Sequence, residues 1–95
     1  TMAVQTLTAE MSSLMALPEP AVIRKGMLAL IEKELRLAEQ EIAGIRERYD
    51  VFTKEALVTA IETGAVSGHP AWEDYIVWKN KEAHISHLRQ MAERA

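Results

Sequence analysis

The stretch PAVIRKGMLALIEKELRLAEQEIAGIRERY, residues 20–49, decides the fold class. Within it Leu28, Ile31, Leu35, Ala38, Ile42, Ile45 and Tyr49 follow one another at alternating steps of three and four. That spacing is a heptad seam on one helix. A second stripe, Ile23, Met27, Leu30 and Leu37, widens the apolar face of the N-terminal half, so this half is expected to touch more than one neighbour. Pro20 suits the first helical position, where its missing N–H is harmless and its φ is already helical. A helix of this length is a rod of roughly 43 Å at ~1.5 Å per residue, longer than a compact domain of this size holds. An elongated shape or a dimer is expected.

Outward from this rod, Asp50 and Val51 break the heptad and Thr53 offers an N-cap hydroxyl to a short helix from Lys54 to Thr63. Gly64 sits where a C-terminal glycine belongs. Ala56, Leu57, Ala60 and Ile61 give that helix one apolar face to pack back on the rod. The string from Gly64 to Pro70 holds two glycines and a proline and is read as a turn that reverses the chain. From Pro70 the pattern resumes, with Trp72, Tyr75, Ile76, Trp78, Ile85, Leu88, Met91 and Ala92 along one broad side and Lys81 and Glu82 interrupting it midway. The expected architecture is all-α: a long antiparallel helical hairpin over residues 20–95 with a short connecting helix, paired as a dimeric bundle.

Residues 1–19 form a separate arm. Leu7, Met11, Leu14 and Leu17, with Met15, make a short amphipathic helix after a cap at Thr6 or Thr8. Pro18 and Pro20 make a stiff elbow, from which the arm is free to swing and to dock on its own hairpin, on a second subunit or on a partner. Thr1 precedes Met2 and reads as a residue outside the natural start.

The chain has 95 residues, enough for one domain that buries about two-thirds of its unfolded surface. No cysteine is present, so disulfides and thiolate metal sites are excluded and a cytoplasmic protein is expected. The apolar runs are too short to span a bilayer and the N-terminus has no basic start followed by an apolar stretch, so neither a membrane span nor a secretory signal is expected. Fourteen acidic against eleven basic residues leave a net charge of −3. Arg24, Lys25, Lys33, Arg36, Arg46 and Arg48 are balanced along the rod by Glu32, Glu34, Glu39, Glu41 and Glu47. That pattern is a solvated face rather than a nucleic-acid stripe, and no helix carries the Arg and Lys density that groove reading needs.

Chemistry-bearing residues are few. His84 and His87 lie one turn apart with Glu82 nearby, a spacing that can chelate, but a site needs further ligands and the seam places both histidines at its margin. No metal and no cofactor are expected. His69 reads as a turn residue ahead of the last helix. Glu73 and Asp74 favour the positive end of the helix dipole. Catalysis would require a cleft with a second polar cluster, and no phosphate loop or nucleophile arrangement is present, so the protein is not expected to be an enzyme. Trp72, Tyr75 and Trp78 hold most of the aromatic residues, with Tyr75 and Trp78 on the seam side and Trp72 left over as a partner-binding candidate.

The stretch Tyr49-Asp50-Val51-Phe52-Thr53, then Leu57, Ile61 and Gly64, then His69, Pro70, Glu73, Asp74, Tyr75 and Trp78, resembles small prokaryotic helical proteins described as antitoxin-like. In those proteins a charged helix ends in Lys-Tyr or Arg-Tyr, a short helix ends at glycine, and an acidic-aromatic stretch with a tryptophan opens the last helix. Arg48, Tyr49 and Trp78 match; Asn80 and Lys81 depart from the more apolar turn of that pattern. The resemblance covers about residues 32 to 90 and leaves the arm unmatched. It implies the antitoxin of a two-component system, sequestering a small toxin, often a ribonuclease, by direct contact. On that expectation Leu7, Met11, Leu14 and Met15 face the toxin, the arm ordering on it. A self-associating structural or adaptor bundle with no toxin is the other expectation.

Overall fold

The computed structural model describes residues 2–95 and is all-α. Four helices follow one another: α1 (Met2–Met15), α2 (Glu19–Tyr49), α3 (Lys54–Glu62) and α4 (Gly68–Arg94). α2 and α4 form the expected antiparallel hairpin, with α3 packed against its connector end and α1 folded back on the first turns of α2. The molecule extends 60 × 23 × 20 Å with a radius of gyration of 19.5 Å. A compact chain of this length would have about 12 Å.

The start of α2 lies one residue earlier than the sequence suggests. Pro18 is the N-cap in an extended conformation and Pro20 falls just inside the helix, where its absent N–H is still harmless. The helix stops where the heptad breaks, because Asp50 turns left-handed (φ 52, ψ 49) and its N–H and that of Val51 close on Glu47 and Arg46 carbonyls. Thr53 caps α3 as expected, its hydroxyl accepting from the Ala56 N–H at 3.1 Å. Gly64 follows α3 with φ +78, a conformation that favours glycine. The backbone at His69 is non-helical, so regular helix in α4 resumes at Pro70, and Ser67 is the cap residue.

The seam is the core. Ala38, Ile42 and Ile45 of α2 pack with Leu57 of α3 and with Ala71, Trp78 and Ile85 of α4. Leu35, Tyr49, Val51, Ile61, Val66 and Tyr75 close round that cluster, while Ile31 and Leu88 are buried farther along the hairpin and Leu28 is half-buried. Trp78 and Leu57 are fully enclosed. Ion pairs across the hairpin hold its register: Arg48 with Asp74 at 2.7 Å, Lys81 with Glu41 at 3.1 Å and Arg89 with Glu39 at 3.2 Å. Lys81 and Glu82, an apparent interruption of the pattern, therefore stand at the edge of the seam and tie it: Glu82 pairs with Lys54 at 2.7 Å.

α1 corrects the reading of the arm in one respect. Its helix begins at Met2, so Thr6 and Thr8 lie inside it and neither is its cap; the Thr8 hydroxyl donates to the Val4 carbonyl at 2.8 Å. Of the docking places open to it, the arm takes its own hairpin, through α2. Ala16 is left-handed (φ 54), the Leu17 N–H bonds to the Ser12 carbonyl at 3.1 Å, and the Ser12 hydroxyl donates to the Leu17 carbonyl.

Replacement of Trp78 with Ala is expected to cost about 3–5 kcal/mol, since it removes the largest enclosed side chain. Urea denaturation followed by helical circular dichroism measures this, and a loss below about 1 kcal/mol would contradict the packing described.

Candidate protein-binding surface

Two clusters of polar chemistry lie on the hairpin, and both serve the fold. At the connector end Asp74 accepts from the Tyr49 hydroxyl and from Arg48. The Tyr49 hydrogen bond, then the Arg48 guanidinium, hold the Asp74 carboxyl below its usual range despite partial burial. Burial, and then the Asp74 carboxylate, push the Tyr49 phenol above its usual range. Asp74 keeps the place near the helix start that suits a helix-dipole carboxylate, and its side-chain partners come from α2. Glu73 pairs with His69 at 3.1 Å on the exposed side.

The second cluster surrounds Trp78. The Trp78 indole N–H donates to Glu82 at 3.1 Å, and the Arg46 guanidinium lies 5.3 Å from the ring centroids of both Trp78 and Phe52. Arg46 also donates to the Phe52 carbonyl at 2.8 Å. Glu82, and then Glu55, raise the Lys54 ammonium well above its usual range. An open groove of about 780 Å³ continues from here along α2 and α4, floored by Ile42 and Ile85. Two ion pairs lie on its rim, Arg89 with Glu39 and Glu82 with Lys54. His84 and His87 are exposed, and among the described residues no group of three or more His, Asp or Glu side chains is placed to hold a metal ion.

The apolar surfaces are different in kind. On α1 Thr8 and Ser12 are half-buried toward α2, while the larger apolar residues stay exposed: Leu7 is 59% exposed, Met11 43%, Leu14 79% and Met15 53%. By helical spacing Met11 and Met15 flank Thr8, and Leu7 and Leu14 lie roughly a quarter to a third of a turn round from it. On α2 the second stripe is bare, with Ile23, Met27, Leu30 and Leu37 all exposed. Roughly a quarter turn separates this stripe from the seam at about 100° per residue, so α4, which sits on the seam, cannot cover it. Glu41 continues the stripe and pairs with Lys81, which places the exposed stripe on the Lys81 side of the hairpin. The two surfaces meet, because Val4, Gln5 and Thr8 of α1 line one shallow groove with Glu19 and Ile23 of α2.

The α2 seam, with Tyr75, Trp78, Ile85 and Leu88 of α4, is buried or half-buried. Ile76, expected on the same broad side of α4, is 54% exposed, since its place one residue after Tyr75 turns it about 100° from that residue. Trp72 is not brought together with the arm. It sits at the connector end, 42% exposed, edge-on to Tyr75 at 5.8 Å and against Gly68, where an added Cβ would meet Trp72 Cδ1 at 3.2 Å. The arm lies at the other end of α2, so Trp72 and Leu7, Met11, Leu14 and Met15 do not form one site. Val4, exposed and adjacent to Ile23, also belongs to the apolar surface, and its place one turn before Leu7 and Thr8 is the sequence signal for it.

A family model matches residues 2–94, taking in α1 together with the hairpin. The chain belongs to the uncharacterized protein MJ0235 family. No curated protein and no solved structure matches it. Among the described residues no helix is long and apolar enough to cross a membrane, so the bare stripes of this family member are not spans.

The Asp74 clamp gives a pH dependence. Its lowered folded-state pKa adds stability above the unfolded carboxyl value of about 4, and that stability is lost as pH falls through the folded value. Tyr49, raised, adds stability below about 10 that is lost as pH rises through its folded value. The wild type is expected to lose about 1 kcal/mol more than Asp74→Asn between pH 5 and pH 2.5, a figure reduced for the partial exposure of the pair. Parallel melting curves for the two proteins would refute the clamp.

Proposed function

We propose that this protein is a non-catalytic, protein-binding helical protein whose arm helix presents Leu7, Met11, Leu14 and Met15 to an unlike protein. The observation that carries the reading is the exposure of α1's large apolar side chains: Leu7 and Leu14 lie round the helix from half-buried Thr8, and Met11 and Met15 stay exposed beside it. A helix that served only to close its own fold would bury these side chains. Flexible methionines at positions 11 and 15 suit an adaptable contact. The polar clusters support the same reading, since their carboxylates and cations are engaged with one another across the hairpin.

In its narrower form this is an antitoxin that sequesters a small toxin such as a ribonuclease. That form rests on the resemblance at Arg48, Tyr49 and Trp78, all three of which serve the hairpin itself: Tyr49 and Arg48 hold Asp74, and Trp78 fills the core. The bare stripe on α2 favours self-association as well, so a homodimer that carries two arms is part of the proposal.

The test is affinity capture from the native host followed by titration calorimetry with the isolated partner. Leu7→Glu combined with Leu14→Glu is expected to weaken that partner by about 100-fold or more while leaving helicity unchanged, since two buried apolar side chains are each worth ~1.5–3 kcal/mol. Equal affinity of variant and wild type would remove the arm from the contact.

A further inference from the structure

We infer that the bare stripe on α2 is the seam of a homodimer in which a second copy lies antiparallel, with the two-fold axis near Leu30. This rests on the protein-binding reading above and names the partner of one of its two apolar surfaces. The stripe runs from Ile23 to Leu37 and its midpoint is Leu30, 60% exposed. Val4 extends it across the shallow groove it shares with Ile23. Val4, Ile23, Met27, Leu30 and Leu37 are each about half exposed or more, and at on the order of 100 Å² apiece they offer roughly 500 Å² of apolar surface. A stable interface buries about 800 Å² per partner, of which about 65% is apolar in homodimers. One copy therefore offers the apolar area that one side of a stable dimer requires.

The direction follows from charge. Glu34 stands within the stripe, between Leu30 and Leu37 in the same three-and-four progression. A parallel two-fold would set Glu34 directly against Glu34 of the second copy, with the like-charge penalty that this carries. An antiparallel two-fold at Leu30 sends Glu34 to the level of Gly26 in the second copy. At Gly26 an added Cβ would meet nothing within 4 Å, so the carboxylate has room there. Glu41 reaches the level of Glu19, but it is already neutralised by Lys81 at 3.1 Å. The arrangement is isologous and closes on itself, with the two connector ends at opposite ends of the dimer. It leaves the outward arm residues Leu7 and Leu14 outside the seam.

Light scattering on the full chain is expected to give twice the chain mass of 10.7 kDa. Leu30→Glu, and separately Met27→Lys, are expected to give the single-chain mass with unchanged circular dichroism, because both side chains are already exposed in the lone chain. A monomeric wild type, or dimers in both variants, would overturn the seam. Direction is read by single cysteines, which the chain otherwise lacks. Leu30→Cys is expected to cross-link to itself under oxidation, whereas Ile23→Cys and Leu37→Cys are not, their self-distances across the axis being about 20 Å at ~1.5 Å per residue. Self-cross-linking of all three would overturn the antiparallel order. The Leu7→Glu and Leu14→Glu arm variant is expected to keep the dimer mass whatever becomes of its other partner, and a monomeric arm variant would overturn the assignment of the seam to α2.

Discussion

Burial of the Trp78 side chain is the constraint on which the rest of the hairpin depends. The indole is enclosed among seam residues of α2 and α4 and Leu57 of α3, and its one polar atom donates to Glu82. Glu82 in turn holds Lys54, which ties the first turn of α3 to α4. Arg46 stacks on the opposite part of the same environment and binds the Phe52 carbonyl, so the loop between α2 and α3 is tied to the same side chain. An indole can be buried at little penalty only when its N–H is satisfied, and here the acceptor that satisfies it also recruits the connecting helix.

Around that anchor the core is best closed, although Phe52, Trp72, Ile76 and Val77 stay exposed about it. Next to Trp78 three helices share the core; past Ile42 and Ile85 only two remain, with an open groove beside them. Beyond Leu28 the first rod has α1 for company, and α1 turns its small hydroxyl residues inward. Apolar surface left bare at that end is what makes protein binding the economical reading of the fold. A chain of this size gains stability by covering such surface with another molecule.

The clamp of Tyr49, Arg48 and Asp74 has a consequence for the family resemblance. An aromatic residue closing one helix and an acidic-aromatic stretch opening another is the pattern expected wherever two such helices must be locked end to end. Residues of this kind report how a hairpin is closed, and function must be argued from surfaces that the hairpin leaves free.

Periodicity in the sequence determined the two rods, their seam and the bare second stripe, because helix geometry alone places residues three and four apart on one side. The Thr53 cap and the glycine after α3 were equally legible, being local hydrogen-bond and backbone preferences. What the tertiary structure decided was partnership. Asp74 with Tyr49, Glu82 with Trp78 and Lys54, Lys81 with Glu41, and Arg46 with Phe52 and Trp78 depend on the hairpin register or on the path of the connecting loop. The arm shows the same division: its amphipathic spacing was plain, but the side it turns toward α2 is set by a left-handed Ala16 and a hydrogen-bonded elbow. Its larger apolar side chains face solvent because docking is a competition between surfaces, and no periodicity within one helix encodes which surface its neighbour will accept.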